Sequence, residues 1–418
     1  MTAALNSHTN RRELMSILKR THLAFLLFFL SSLSLFGQWS PVNSGTTNNL
    51  NGACLLDSGT GYIVGDAGTI LKTTDAGMTW TALTSGTTET LYDIHCFTAD
   101  EGVAVGGSGL ILRTTDGGAN WQSVPSGVTD SLTAVSFSGA NGICGGTSQT
   151  ILYSSDSGAS WNIGQTGFFG GGFLGAHMLS PTLGFVAGQN SIFGPLVGTT
   201  VDGGVTWAFQ AFYFDGNEGS CADIFFFDGA TGVVSGVVWD GRGALARTTN
   251  SGTDWTTSFY DQGMQGIDFP RTDSGFAVGW AGRILKSADS GVTWLPQTSG
   301  TFVDLFDVHF ASDGLTGIAV GEGGTILRTT NGGEPGGITL SANAHKFRGN
   351  YYADLIWTEA TSNQIDIYRN GAVIVTTDND GDYTDALGKQ RKGATFVYKA
   401  CEAGTQVCSN EATIEIAH

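Results

Sequence analysis

Residues 64–80 read VGDAGTILKTTDAGMTW, and the second half of that stretch, 73–80 (TTDAGMTW), returns along the chain. The copies are 114–121 (TTDGGANW), 154–161 (SSDSGASW), 200–207 (TVDGGVTW), 248–255 (TTNSGTDW) and 287–294 (SADSGVTW). A seventh copy, 329–333 (TTNGG), stops short of its Trp. The acid or amide of each copy is Asp75, Asp116, Asp156, Asp202, Asn250, Asp289 or Asn331, giving spacings of 41, 40, 46, 48, 39 and 42 residues. Recurrence at such a spacing marks one supersecondary unit that buries its apolar face only against its neighbours.

The unit resolves into strands. Residues 91–97 alternate apolar and polar and predict an inner strand, 98–102 a turn, and 103–106 a second strand. A tight glycine turn at 107–109 leads to a third strand at 110–115, and the 116–120 turn to an outer strand at 121–124. Four short strands per repeat predict a blade of an all-β, seven-bladed β-propeller. Each outer strand begins at the Trp. Residues 39–47 (WSPVNSGTT) have that outer-strand pattern with no repeat in front, whereas the seventh repeat lacks an outer strand. Trp39 is therefore expected to complete blade seven, so that residues 38–333 form a ring whose two free sheet edges are removed.

Residues 23–36 (LAFLLFFLSSLSLF) follow Lys19 and Arg20 and precede Gly37. This predicts a secretory signal peptide over 1–37, with Met15 as an alternative start, and a periplasmic or extracellular mature protein. The run is too short for a membrane span of about 20 residues. The whole chain of 418 residues carries a charge of −18. Removing Arg11, Arg12, Lys19, Arg20 and Glu13 with the leader leaves 15 basic and 36 acidic residues, or −21. That balance argues against nucleic acid and anionic membranes as main partners. Residues 338–418 predict a second, β-sandwich domain around Trp357, Tyr398 and the 366–371 stretch (DIYRNG). Cys401 and Cys408 flank its last hairpin, and in an exported protein they are expected to pair. The acidic loop 378–382 (DNDGD) reads as a solvated turn, with calcium as the other reading.

The pattern Ser/Thr-x-Asp-x-Gly-x-x-Trp resembles the Asp-box, or BNR repeat, and the longer form at 64–80 resembles the photosystem II stability/assembly factor family. The resemblance implies a propeller and non-catalytic binding of a protein partner. The tail domain resembles the fibronectin type III sandwiches of bacterial exported proteins. The boxes themselves read as turn-forming: a short polar side chain bonds its own backbone, Gly takes the left-handed position, and Trp packs over the hairpin. Asn250 and Asn331 keep those turn bonds but not acid–base chemistry.

A sialidase-like or xyloglucanase-like hydrolase, or a carbohydrate-binding propeller, is the alternative function. Sialidases need three converging arginines, and Lys72, Arg113, Arg247, Lys286 and Arg328 occupy one repeated slot that a ring spreads apart. Xyloglucan-type hydrolases hold a carboxylate pair between two propellers, and one is expected here. The fifth inner-strand residues are Cys54, His95, Ser136, His177, Phe225, Asp268 and His309. Asp268, His309, Cys54 and His95 are ligand types in ring order, but the slot reads as inter-blade packing, and neither metal nor cofactor is expected. The candidate binding face lies on the loops around blades 4 to 6: Phe168, Phe169, Phe193, Tyr213, Asp215, Trp239, Arg242, Tyr260, Trp280 and Arg283. Aromatic side chains beside Arg are typical interface anchors, and filling gaps between irregular blades is the other reading.

Overall fold

The computed structural model describes residues 38–57, 59–165, 170–190, 194–334, 338–358, 360, 362–404, 409 and 411–416. The leader expected over 1–37 lies outside them, as do Phe168, Phe169, Phe193 and Cys408. The chain divides into two compact units, Gln38–Gly337 and one beginning at Ile338.

The first unit contains seven four-stranded antiparallel sheets among the described residues. Sheet 2 shows the plan: Leu91–Cys96, Gly102–Gly106, Ile111–Thr114 and Gln122–Ser123, in that order from inside to outside. Sheets 1, 3, 4, 5 and 6 repeat it, starting from first strands Leu50–Leu55, Leu132–Ser138, Gly171–Met178, Gly219–Phe226 and Met264–Arg271. Sheet 7 takes its first three strands from Leu305–Phe310, Gly317–Gly321 and Ile326–Thr329, and its fourth from Ser40–Val42 at the other end of the unit. Trp39 is the residue that seats this strand. It is 2% exposed, meets Phe276 and Phe310 edge-on, and donates its indole N–H to Gln297 Oε1 at 2.8 Å.

Every first strand packs against the first strand of the next sheet, and that of sheet 7 packs against that of sheet 1. Side chains make the join. Asp93 accepts from the Val135 N–H at 2.7 Å, Asp223 from Ile267 at 2.9 Å and Asp307 from Ala53 at 2.8 Å. Two residues further along, Ser136 accepts from Met178, His177 from Phe226, Asp268 from Phe310 and His309 from Leu55. A strand bonded on one edge leaves inner-edge N–H groups facing its neighbour, and these acceptors satisfy them. The recurring offset places the seven first strands parallel and in register, so all the outer-to-first and second-to-third loops lie at one end. All the boxes lie at the other.

Each box is a closed turn. In sheet 1 the buried Thr73 hydroxyl donates to Asp75 Oδ1 at 2.7 Å and accepts the Gly77 N–H, while Asp75 takes the Thr79 N–H and hydroxyl. Those donors hold the Asp75 carboxyl down at about 2. The repeated cation before the box reaches the box of the next sheet. Lys72 donates to Gly117 O at 2.7 Å, Arg113 to Ser157 O at 2.9 Å, Arg247 to Ser290 O, Lys286 to Gly332 O, and Arg328 to Ala76 O.

The second unit has a three-stranded sheet, Thr339–Phe347, Asn350–Thr358 and Asp382–Gly388. Its other sheet runs Ala372–Asp378, Gln364–Arg369, Thr395–Glu402 and Ala412–Glu415. Leu355 and Trp357 of one sheet and Ile365, Ile367, Tyr398 and Ile414 of the other share one core. Asp385 is tied inside it by Arg369 and by the Tyr398 hydroxyl, each at 2.7 Å. Cys401 is buried and disulfide-bonded.

Candidate binding face

In sheets 1, 2, 3, 6 and 7 the second-to-third loop is a single 3-10 turn, as at Gly107–Gly109. Gly68 shows why such a turn holds a glycine. Its φ is +68°, and a Cβ there would lie 2.1 Å from the Thr87 carbonyl oxygen. The turns lie low against the neighbouring loops. Sheets 4 and 5 differ. Their second strands, Gly184–Asn190 and Gly232–Val238, and third strands, Pro195–Thr200 and Gly243–Thr248, are each two residues longer than those of sheet 2. That extra length raises the loops at this end.

The rings divide into two groups. Phe214 is fully buried, and Phe212 stands edge-on to it and stacks on Trp255 at 4.8 Å. Trp280 is half-buried over Gly263, and Tyr260 is half-buried with its phenol pushed up by burial. These four fill the space between sheets. Tyr213 and Trp239 do not: they are 55% and 50% exposed. Phe302, 91% exposed, joins them from the loop between sheets 6 and 7. It was missed in the sequence, although it stands where the equivalent loops carry Thr47, Thr88 and Thr129.

Arg242 bonds within the Trp239 loop and to its neighbours. Its Nε donates to Asp240 Oδ2 at 2.7 Å, its guanidinium lies 4.5 Å from the Phe259 ring centre, and a longer bond reaches Asn217. The hydrogen-bonded Arg242 holds the Asp240 carboxyl below its ordinary range. Arg283 pairs with Asp261. Both arginines at this end are therefore neutralised, while Glu89, Asp215, Glu218 and Glu322 are exposed around them. Asp215 holds a left-handed conformation, φ +46°, in the loop that presents Tyr213. The face is acidic with protruding rings, and among the described residues it offers no array of free cations for a carboxylate.

The axis of the ring opens toward the same end. Asn51, Tyr92, Asp93, Thr133, Leu174, Asp223, Gln265, Phe306 and Asp307 line a cavity of about 290 Å³. Its carboxylates are enclosed by protein, and burial pushes Asp93 up to about 6 and Asp223 up to about 7, and raises Asp307 as well. Burial also lowers His177 to about 4, which leaves Nδ1 free to accept the Phe226 N–H. The ligand-type residues in ring order do other work. Cys54 is in a disulfide with Cys96 of the next first strand, with Cα atoms 6.2 Å apart, so this slot residue is joined covalently to the next sheet. Two cysteines 42 residues apart, one repeat length, were the signal for that bond. No group of three or more metal-ligating residues comes together among the described residues. In the 378–382 loop, Asn379 accepts the Trp357 indole N–H and donates to the Ala360 and Ser362 carbonyls.

The family model described as Photosynthesis system II assembly factor YCF48 matches residues 32–126 and 80–165, which is sheets 1 to 3 and the segment before them. The chain is similar to the solved structure of YCF48 bound to D1 peptide, at 21% identity and TM-score 0.57 over 71% of this chain and 98% of that one. YCF48 from Cyanidioschyzon merolae gives 20% and 0.55 over 70% and 98%. A GH74 enzyme from Niastella koreensis shares the fold at 13% and 0.56, over 88% of this chain and 73% of that one. No curated protein matches the sequence significantly. The chain is an all-β protein with a BNR-type β-propeller that resembles the photosystem II assembly factor.

Proposed function

We propose that the protein is an exported, non-catalytic scaffold: a closed seven-bladed propeller with a fibronectin type III-like tail, whose loops around blades 4 to 6 bind a segment of a protein partner. The observation that carries this reading is the placement of Tyr213, Trp239 and Phe302, exposed on one face of a fold shared with a protein solved in complex with a peptide. Arg242, locked to Asp240 and stacked on Phe259, holds the base of that face rigid, which lowers the ordering cost of binding. The exposed carboxylates favour a partner segment that is basic or neutral.

The test compares the two ends of the ring. Tyr213→Ala with Trp239→Ala is expected to abolish capture of partners from the native host while leaving the melting temperature unchanged, because truncating an anchor costs about 2 kcal/mol or more. Asp116→Ala, at the box end, is expected to lower the melting temperature and leave capture by the folded fraction intact. Binding on a glycan array or release of reducing sugar, with no protein captured, would favour the carbohydrate reading and sink this one.

A further inference from the structure

The chain's net charge of −18 hides a segregation within the C-terminal unit. Thr339–Phe347 and Asn350–Thr358 form a hairpin whose turn is Arg348 and Gly349, both left-handed at φ +48° and +85°. Lys346, Phe347 and Arg348 are all exposed at its tip, with Phe347 at 55%. The register brings a second loop to the same end: Tyr351 pairs with Gly388, so residues 389–394 leave the sheet beside the hairpin turn. That loop carries Lys389, Arg391 and Lys392, also exposed. The acidic loop sits at the opposite end, because Asp382 pairs with Ile356. Among the described residues, Glu415, opposite Thr395, places a carboxylate near the basic loops.

The cations are partly arranged in advance. The Lys346 ammonium lies 5.0 Å from the Tyr351 ring centre and the Arg348 guanidinium 5.1 Å from that of Phe347. We propose that this end of the C-terminal unit docks on the surface of an anionic lipid bilayer. The five cations would meet headgroup phosphates, and Phe347 would enter the interfacial layer. Charge complementarity selects an anion, and the apex ring between two cations selects a bilayer. A soluble polyanion gives that ring nothing to bury against, whereas the headgroup region favours aromatic side chains flanked by Lys or Arg. The acidic remainder does not prevent docking, because charges beyond a screening length of about 8 Å at physiological salt act weakly. On this proposal, net charge alone does not exclude anionic membranes at this end.

The experiment is vesicle flotation with the chain from Gln38 onward, which contains both compact units. Vesicles of phosphatidylcholine with phosphatidylglycerol are expected to carry the protein at low salt, and vesicles of phosphatidylcholine alone are not. Lys346→Glu, Arg348→Glu, Lys389→Glu and Arg391→Glu together are expected to weaken flotation by at least about tenfold at an unchanged melting temperature. Phe347→Ser is expected to weaken it while leaving the salt dependence intact. Failure of the unaltered protein to float, equal flotation of the charge-reversed variant, or retention on a soluble anionic polysaccharide without flotation would each overturn the proposal.

Discussion

Sheets 1 to 3 and sheets 4 to 5 are built from the same repeat and solve different problems. The first group spends its residues on closure. Each second-to-third loop is one 3-10 turn, and Lys72 and Arg113 reach from one sheet to the next sheet's box. At the junctions of sheets 3 with 4 and 4 with 5, Tyr153 and Thr199 occupy the cation's slot. At the junction of sheets 4 and 5 rings make the contact: Phe185 of sheet 4 stacks on Phe226 of sheet 5 at 3.7 Å, and Phe212 on Trp255. The second and third strands of sheets 4 and 5 are also longer, and Tyr213 and Trp239 stand exposed on the loops around them. Regularity holds the ring, and departure from it supplies a surface.

The largest effect that would break this comparison is at closure. Trp39→Ala leaves a cavity against Phe276 and Phe310, and is expected to cost about 3–5 kcal/mol in chemical denaturation. A smaller loss would mean that the N-terminal strand is not what closes the ring. Thr114→Val removes an acceptor from the buried Gly118 N–H and is expected to cost about 1–3 kcal/mol. Lys72→Ala breaks one inter-sheet tie and is expected to cost about 0.5–1.5 kcal/mol, whereas Thr199→Ala at the equivalent slot of sheet 4 should be nearly silent. Equal effects of these two would erase the distinction between the regions.

The last effect is a pH slope from the axial carboxylates. Asp223 moves from 3.8 to about 7 on folding, so the folded state holds a proton that the unfolded state has released between those values. Stability from this group is therefore full below about 4 and falls as the pH rises toward 7. Melting temperatures are expected to decline over that interval, and Asp223→Asn to flatten the decline. The box acids act oppositely but lower down: Asp75 at about 2 loses its contribution only as the pH drops below 3.8.

The sequence made sheets 1 to 3 legible because every turn there is marked by its own residues, from the glycines of 107–109 to the Thr–Asp pair of the box. The wider box spacings of 46 and 48 residues marked sheets 4 and 5 as the place of departure, but not which of their rings would be covered. Phe212 and Tyr213 are adjacent, and one stacks on Trp255 while the other stands 55% exposed. That difference is decided by neighbours from another sheet, which no local pattern records. The Cys54–Cys96 bond and the Asp93, Asp223 and Asp307 ladder escaped for the same reason, since each joins two repeats.

The central claim is that the raised loops, not the boxes, meet the partner. Site-specific photocrosslinking tests it most directly, with a photoreactive side chain placed at Trp239 in one variant and at Thr79 in another, both expressed in the native host. The account predicts discrete protein adducts from position 239 and none from position 79. Adducts from position 79 alone would contradict it and make the box end the functional face.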